Sequence, residues 1–362
     1  MQIKAVNIIP YQLPLRQNWI TSSCHLSSRS GWLVEITTDS GNSGYGDCAP
    51  LPTAGTEWPQ QAYHCLQRYR DKNQHGSAAE ALQNIALAPA TPAARNGIET
   101  ALLDLISQSE KKTLRCWLNP FARNSIQLNS MIGTLDKDCR QQAMLSVSQG
   151  FQVLKLKVGV NEVANDIKYL EELSAQLPDH IRLRLDANGA WDFKQAAMFI
   201  KAIHHLAVES IEEPLREPEL VSLCKLQQST SIALALDESI GSFDRNTLLK
   251  SQAVKRLVIK PMARGGLLSS MALARDAALH KMETVVTSTI ESAIGLQAAA
   301  QLAAALDEPG NGVAHGLATS EWLLDDVAPA AEIIRGTLLL PELTGLGLSP
   351  SIDYKNFKHA DL

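Results

Sequence analysis

Five short stretches carry the residues that could do chemistry: Lys155-Leu156-Lys157, Asp186-Ala187-Asn188, Glu212-Glu213-Pro214, Asp237-Glu238-Ser239 and Ile259-Lys260-Pro261. Asp186, Glu212 and Asp237, if brought together, repel one another unless a cation neutralises them. Hard oxygen donors that leave room for substrate oxygens favour Mg²⁺, with Mn²⁺ as the usual rival. A lysine beside other cations and a metal loses its proton more readily, because neighbouring positive charge disfavours the ammonium form. Lys155 and Lys157 precede the carboxylates and Lys260 follows them. One lysine can then act as a base while the opposite one stays cationic, which suits removal of a proton next to a carboxylate to give an enediolate.

These residues need strands to position them. Side chains alternate faces along a strand. In 181–186, Leu183 and Leu185 oppose Arg182, Arg184 and Asp186, and in 232–237 Ile232, Leu234 and Leu236 oppose Ala233, Ala235 and Asp237. Leu257 and Ile259 likewise oppose Val258 and Lys260, and Leu154 and Leu156 oppose Lys155 and Lys157. Each charged residue is out of phase with the bulky face that helices would cover, so it points inward. Glu213 and Glu238 fall in the other phase and read as supporting or surface residues. His204 and His205 read as mid-helix surface or packing residues, and His315, the one histidine in a strand-end context, as structural before catalytic.

Strand candidates begin near Ile126, Phe151, Ile181, Glu209, Ile232, Arg256, Glu283 and Val313, with helical patterns between them. Val160, Val163, Ile167, Leu170 and Leu173 make one apolar stripe; Leu268, Met271, Ala272, Ala278, Leu279 and Met282 make another. Eight strands about one strand-plus-helix unit apart suit a (β/α) barrel, whose chemistry sits at the carboxyl ends of its strands. Before this region the rhythm differs. A strand over 3–15 interrupted by Pro10 and Pro14, a polar loop over 16–30, and strands on either side of the Ser40-Gly41-Asn42 turn lead to helices between about Trp58 and Gln108. Strands followed by helices mark a separate α+β domain. The expected division is 1–124 for this domain, 125–325 for the barrel, and a tail over 326–362 that returns to the first domain.

Composition bounds the rest. The chain has 362 residues, 45% apolar and 20% charged, an ordinary globular balance with length enough for two domains. A net charge of −5 with dispersed Lys and Arg argues against nucleic acid as a partner. The N-terminus lacks a signal-peptide core and no apolar run reaches bilayer-spanning length, so a cytoplasmic protein without membrane contact is the expectation. The six cysteines show no C-x-x-C spacing and read as reduced thiols. Oligomeric state leaves no mark in the sequence.

The strand-end motifs resemble the enolase superfamily, and within it the muconate-lactonizing subgroup, whose barrel carries K-x-K on the second strand, Asp, Glu and Asp on the third to fifth, and Lys on the sixth. Leu183-Arg184-Leu185-Asp186-Ala187-Asn188, Ala190-Trp191, Ile259-Lys260-Pro261 and Thr287-Ser288-Thr289-Ile290-Glu291-Ser292 are similar to the o-succinylbenzoate synthase family in particular. The resemblance covers nearly the whole chain. It implies a modified (β/α)7β TIM-type barrel, an α/β fold with an N-terminal α+β capping domain, and a small-molecule carboxylate substrate. It further implies Mg²⁺ on Asp186, Glu212 and Asp237, and Lys157 as the acid/base lysine. Lys260 would face the opposite side, Lys155 and Asn188 would lie against the substrate, and Thr287, Ser288 and Gly316 would contact a succinyl group. The implied reaction is syn-dehydration of 2-succinyl-6-hydroxy-2,4-cyclohexadiene-1-carboxylate to 2-succinylbenzoate in menaquinone biosynthesis, with 19–29 and 47–55 closing over the substrate.

The resemblance leaves a rival open. Gly265-Gly266 also resembles the branch that racemises N-succinylamino acids, a reaction that uses Lys157 and Lys260 as opposed bases. The Asp-x-Asp of dipeptide epimerases is absent from 313–317, and 284–289 lacks the histidine of mandelate-type racemases. A non-catalytic barrel is disfavoured because no ligand or lysine position is lost.

Overall fold

The computed structural model describes residues 1–20, 25–73, 75–85, 90–307 and 312–351, with the side chains of 18–20 and 25 undescribed. The chain opens with three antiparallel strands, β1 (Ile3–Ile20), β2 (His25–Thr38) and β3 (Ser43–Cys48), in the order β1-β2-β3. Helices α1 (Pro59–Asn73), α2 (Ala78–Ile85), α3 (Pro92–Ser109) and α4 (Leu114–Leu118) come after them. Where the sequence predicts a loop over 16–30, β1 runs to Ile20 and β2 begins at His25; residues 21–24 lie outside the described residues. The two prolines do not end β1 because it is an edge strand: Pro10 faces Trp32 and Pro14 faces Ser28, and a missing N–H costs little where the other edge has no partner strand.

Helix α3 lies directly on β3. At Gly46 a Cβ would stand 1.9 Å from the Gly97 carbonyl, and at Gly44 2.2 Å from that of Ala101. Glycine at these positions is what lets helix and sheet approach so closely.

The chain then lays down β4 (Ser125–Gln127) and seven parallel strands: β5 (Asn129–Thr134), β6 (Val153–Lys157), β7 (Arg182–Asp186), β8 (Val208–Glu212), β9 (Ala233–Leu236), β10 (Arg256–Ile259) and β11 (Glu283–Val286). Between and after them come α5 (Cys139–Ser148), α6 (Val163–Ser174), α7 (Phe193–Ile203), α8 (Leu220–Gln228), α9 (Arg245–Ser251), α10 (Pro261–Arg264), α11 (Leu267–Leu279) and α12 (Ala293–Leu306). The strands lie in chain order, each hydrogen-bonded to the next. The eighth candidate near Val313 forms only single bridges, Leu128 with His315 and Thr287 with Gly316, yet these reach both outer strands and complete the ring. This is the (β/α)7β arrangement.

His315 is fully buried at this seam. Its Nδ1 accepts from the Val286 N–H at 3.0 Å, so Nε2 is left to donate to Asp307 Oδ1 at 3.1 Å, which is a structural use of the ring. His204 and His205 lie just past the end of α7 instead of within it.

Three further expectations shift. Ile126 belongs to β4, which pairs with β13 (Thr337–Leu339), itself paired with β12 (Ile333–Ile334); the first barrel strand begins three residues later. Val160 precedes α6 and is exposed. Helix α11 buries Leu267, Ser270, Met271, Ala274 and Ala277, whereas Ala272, Ala278 and Leu279 face solvent. Its covered face mixes Leu267, Met271 and Leu273 with the small residues Ser270, Ala274 and Ala277, so only part of the expected stripe is covered. Beyond β13, the Leu346 N–H donates to Asp104 in α3 and the Leu114 N–H donates to the Gly345 carbonyl, which joins the described part of the tail to the first helices. Among the described residues no helix is long and apolar enough to cross a membrane, and the five described cysteines are free.

Candidate active site

Strand register sets the site. Lys157 pairs with Asp186 and Asp186 with Glu212, so three charged groups stand in one row across β6, β7 and β8. Glu212 pairs with Ala235, which places Asp237 two residues further up on the next strand. Lys260 is the first residue past β10. The inward phase read from the leucine alternation holds: Leu183, Leu185, Leu234 and Leu236 are buried against the helices, and Lys155, Lys157, Arg184, Asp186, Glu212, Asp237 and Lys260 line one cleft of about 430 Å³. Its mouth is framed by Leu26, Leu51, Thr53 and Ala54 of the first domain, so 47–55 reaches the cleft as expected. Part of the other expected loop, 21–24, and the side chains of 18–20 lie outside the described residues.

The charges are closely interleaved. Lys155 Nζ sits 2.9 Å from Asp186 Oδ2 and 2.8 Å from both oxygens of Glu212. Lys260 Nζ is ion-paired with Asp237. Burial works to lower the Lys155 ammonium, but Asp186, Glu212 and Asp237 together outweigh it and hold it above its ordinary range. Lys260 is also raised: Asp237 and Glu238 overcome its burial. Each of these two lysines meets acids before it meets other cations. Burial also works to raise Asp186, yet Lys155 beside it, with Lys157 adding to the effect, holds that carboxyl below the usual range. Glu212 is driven well above it by burial and by the neighbouring Asp186, with Asp237 adding to the effect against Lys155.

A second tier supports the first. Glu213 is buried with a positive φ of 45°; its Oε1 accepts from the Asp237 N–H at 2.7 Å and the Ser239 N–H at 2.9 Å, and its Oε2 from the Ser239 hydroxyl at 2.7 Å. It therefore fixes the turn that presents Asp237. Glu238 lines the cleft, and its carboxyl is raised by burial and by Asp237. Asn188 is exposed at the rim and donates to Glu238 at 3.4 Å. Thr287 donates to the Gly316 carbonyl at 2.9 Å, and Ser288 shares a 2.7 Å hydrogen bond with Thr319, so these three expected substrate contacts cluster on the opposite wall. Deeper in the barrel, Arg184 and Arg256 share Glu209; the sequence placed Arg184 inward but did not mark Arg256 or Glu209.

The donor chemistry fits a hard divalent cation. Burial first, and then the negative charge of Asp186 and Asp237, push Glu212 upward, and a divalent ion would relieve the part that comes from charge. As placed, their oxygens turn to Lys155 and Lys260, and among the described residues no three acidic, histidine or cysteine side chains converge at metal-ligand spacing.

The comparisons with known proteins agree with this geometry. Residues 138–354 match the enolase C-terminal domain-like family, and residues 3–105 match the MenC N-terminal domain. An o-succinylbenzoate synthase of Pasteurella multocida is 28% identical over 312 residues, covering 83% of this chain and 86% of the relative. An N-succinyl-L-Arg/Lys racemase of Bacillus cereus is 24% identical over 307 residues, covering 82% and 83%. Among solved structures, a dipeptide epimerase from Enterococcus faecalis V583, complexed with Mg and the dipeptide L-Leu-L-Tyr, aligns with a TM-score of 0.85 and 26% identity over 96% of this chain and 100% of that one. The chain belongs to the enolase superfamily. It is an enzyme of that superfamily.

Proposed function

We propose that this protein is an o-succinylbenzoate synthase, a Mg²⁺-dependent hydro-lyase that converts 2-succinyl-6-hydroxy-2,4-cyclohexadiene-1-carboxylate to 2-succinylbenzoate and water in menaquinone biosynthesis, with Mn²⁺ able to substitute. The observation that carries this reading over others in the subgroup is the match of 3–105 to the N-terminal domain of MenC, since the barrel chemistry is common to dehydration and racemisation. In this reading 1–124 with the tail is the capping domain and 125–325 the barrel.

Asp186, Glu212 and Asp237 would hold the ion, which when bound supplies positive charge opposite a substrate carboxylate. Lys157 takes the proton from the ring carbon that bears the carboxylate, and the electron pair moves into that carboxylate. Lys155 and Lys260, kept as ammoniums by their acidic neighbours, face the enediolate charge so formed. The electrons then return to form the aromatic ring, the C6–O bond breaks, and Lys157 returns its proton to the leaving hydroxyl. Elimination on one face needs one lysine in both roles, and gain of aromaticity lowers the second barrier. Asn188, Thr287, Ser288 and Gly316 would line the substrate's remaining surface. The cap residues Leu26, Leu51, Thr53 and Ala54 would exclude water.

A second reading, racemisation of N-succinylamino acids with Lys157 and Lys260 as opposed bases, is favoured by the Bacillus cereus relative at comparable identity. Purified protein with Mg²⁺ assayed on the cyclohexadiene and, in parallel, on N-succinyl-phenylglycine separates the two. Dehydration far above racemisation supports the synthase, and comparable efficiencies overturn an exclusive dehydratase.

A further inference from the structure

The two lysines on the flanks of the site are held in different ways. Lys157 is the last residue of β6 and is paired on both sides, with Thr134 of β5 and Asp186 of β7. The sheet fixes its backbone. Lys260 lies one residue beyond β10, and the last ladder bond on that side runs from the Thr287 N–H to the Ile259 carbonyl. From Lys260 onward the chain forms a short turn bonded to itself. The Lys260 carbonyl accepts from the Ala263 and Arg264 N–H groups, α10 lasts four residues, and Gly265 and Gly266 come next at φ +78° and +126° before α11 begins. Pro261 and Met262 bury the start of the turn, while its far end at Gly265 and Gly266 has no side chain to hold it.

The first domain supplies the fixing. Glu99 in α3 is buried, and its Oε1 accepts from the Leu268 N–H at 2.9 Å, at the start of α11. The adjoining Leu267 amide also helps hold the charge of this carboxylate, so one side chain from another domain meets the donor end at which a helix begins. The backbone of Gly266 is moulded to it. A Cβ on Gly266 would stand 2.3 Å from Glu99 Oε1 and 2.6 Å from Cδ, so no larger residue fits while Glu99 holds its place. Arg95, one helical turn before Glu99, lays its guanidinium over Gly265, where a Cβ would be 3.6 Å from Cζ. The pair of glycines after Lys260 thus seats α3 of the capping domain directly on the turn that carries that lysine.

We propose that Glu99 is a positioning residue for Lys260: through Gly266 and the first amides of α11 it clamps the Lys260–Gly266 turn to the capping domain, and so sets where the ammonium of Lys260 stands over the cleft. The role assigned to Lys260 rests on the proposed function above; the clamp itself does not. Gly265 and Gly266 thereby have a steric reason to be glycine that is independent of which reaction is catalysed.

The test uses the full-length protein with Mg²⁺ and three variants, Glu99→Ala, Glu99→Gln and Gly266→Ala. Amide hydrogen exchange is followed by mass spectrometry at 261–269 and, as the internal reference, at 153–157. Glu99→Ala and Gly266→Ala should speed exchange at 261–269 about tenfold, the equivalent of one buried hydrogen bond, and leave 153–157 unchanged. Glu99→Gln keeps a carbonyl oxygen for the Leu268 N–H and should stay close to wild type. In turnover, Glu99→Ala should lower kcat about tenfold with KM within about twofold, because Lys260 acts on charge that develops after binding, and Glu99→Gln should restore most of it. Unchanged exchange at 261–269, equal acceleration at 153–157, or a Gln variant as impaired as the Ala variant would each overturn the clamp. If the wild-type protein turns over neither substrate, the functional reading falls while the exchange comparison still decides the clamp.

Discussion

Removing the Glu213 carboxylate should damage both the fold and the proposed metal site, by an amount the structure allows to be worked out. In Glu213→Ala the Asp237 N–H, the Ser239 N–H and the Ser239 hydroxyl lose their acceptors at 2.7, 2.9 and 2.7 Å, all in buried or half-buried surroundings. Each orphaned buried donor costs about 1–3 kcal/mol. Part of that is returned, because burial already holds Glu213 above its ordinary pKa and so marks its ionised form as costly. A net loss of about 3 kcal/mol remains, or roughly 4 °C in Tm for a protein of this size. Glu213→Gln keeps a carbonyl oxygen for both amides and turns its NH₂ to the Ser239 oxygen, so it should lose only about 1 kcal/mol. Because the same bonds fix the turn that presents Asp237, calorimetric Mg²⁺ affinity should fall about 10–100-fold in Glu213→Ala and far less in Glu213→Gln. Equal damage from the two variants, or an alanine variant with unchanged Tm and Mg²⁺ affinity, would refute the assignment of Glu213 to the Asp237 turn.

Acidity offers a second prediction. Burial pushes Glu99 up to about 7, Asp326 up to about 7 and Asp104 up to about 6. Carboxyls raised in the folded state favour folding while protonated, and that contribution disappears as pH rises through the folded values. The thermal midpoint should therefore fall by several degrees between about pH 5 and pH 8; a midpoint that rises over that window contradicts the burial of these groups. Gly46→Ala would place a methyl 1.9 Å from the Gly97 carbonyl and should cost several kcal/mol or prevent soluble expression, whereas alanine at Gly133, where nothing lies within 4 Å but φ is +100°, should cost only about 1 kcal/mol of backbone strain, as paired urea denaturation curves would show. Arg29 donates to the Ala49, Pro50 and Ile290 carbonyls, so Arg29→Met should loosen the 47–55 loop against the barrel and raise KM for a substrate enclosed there, with far-ultraviolet dichroism unchanged.

The strand ends were legible because their information is local. A period of two separates Asp186 from Leu185 and Lys260 from Ile259 without reference to anything distant, and parallel strands then bring the odd-phase charges to one mouth. What escaped depends on partners far away in sequence. Nothing within 16–30 reveals that β1 lies at a sheet edge and so continues past its prolines. The pairing of 125–127 with the tail joins residues more than 200 positions apart. The covered face of α11 includes, beside Leu267, Met271 and Leu273, the small residues Ser270, Ala274 and Ala277, whose burial their own apolarity does not announce. Glu213, read from its phase as a supporting or surface residue, takes the supporting role through its bonds to Asp237 and Ser239. Glu99 had no signal visible within its own helix.

The central claim is that Lys157 moves the proton at a Mg²⁺-dependent site built by Asp186, Glu212 and Asp237. Conversion of the cyclohexadiene carboxylate to 2-succinylbenzoate, monitored by absorbance for wild-type protein and for Lys157→Ala with Mg²⁺ and after chelation, tests it directly. The wild type should turn over, chelation should abolish that turnover and Mg²⁺ restore it, and Lys157→Ala should lose about 10²–10⁴-fold or more. A Lys157→Ala protein that keeps most of its rate, or wild-type turnover indifferent to chelation, would contradict it.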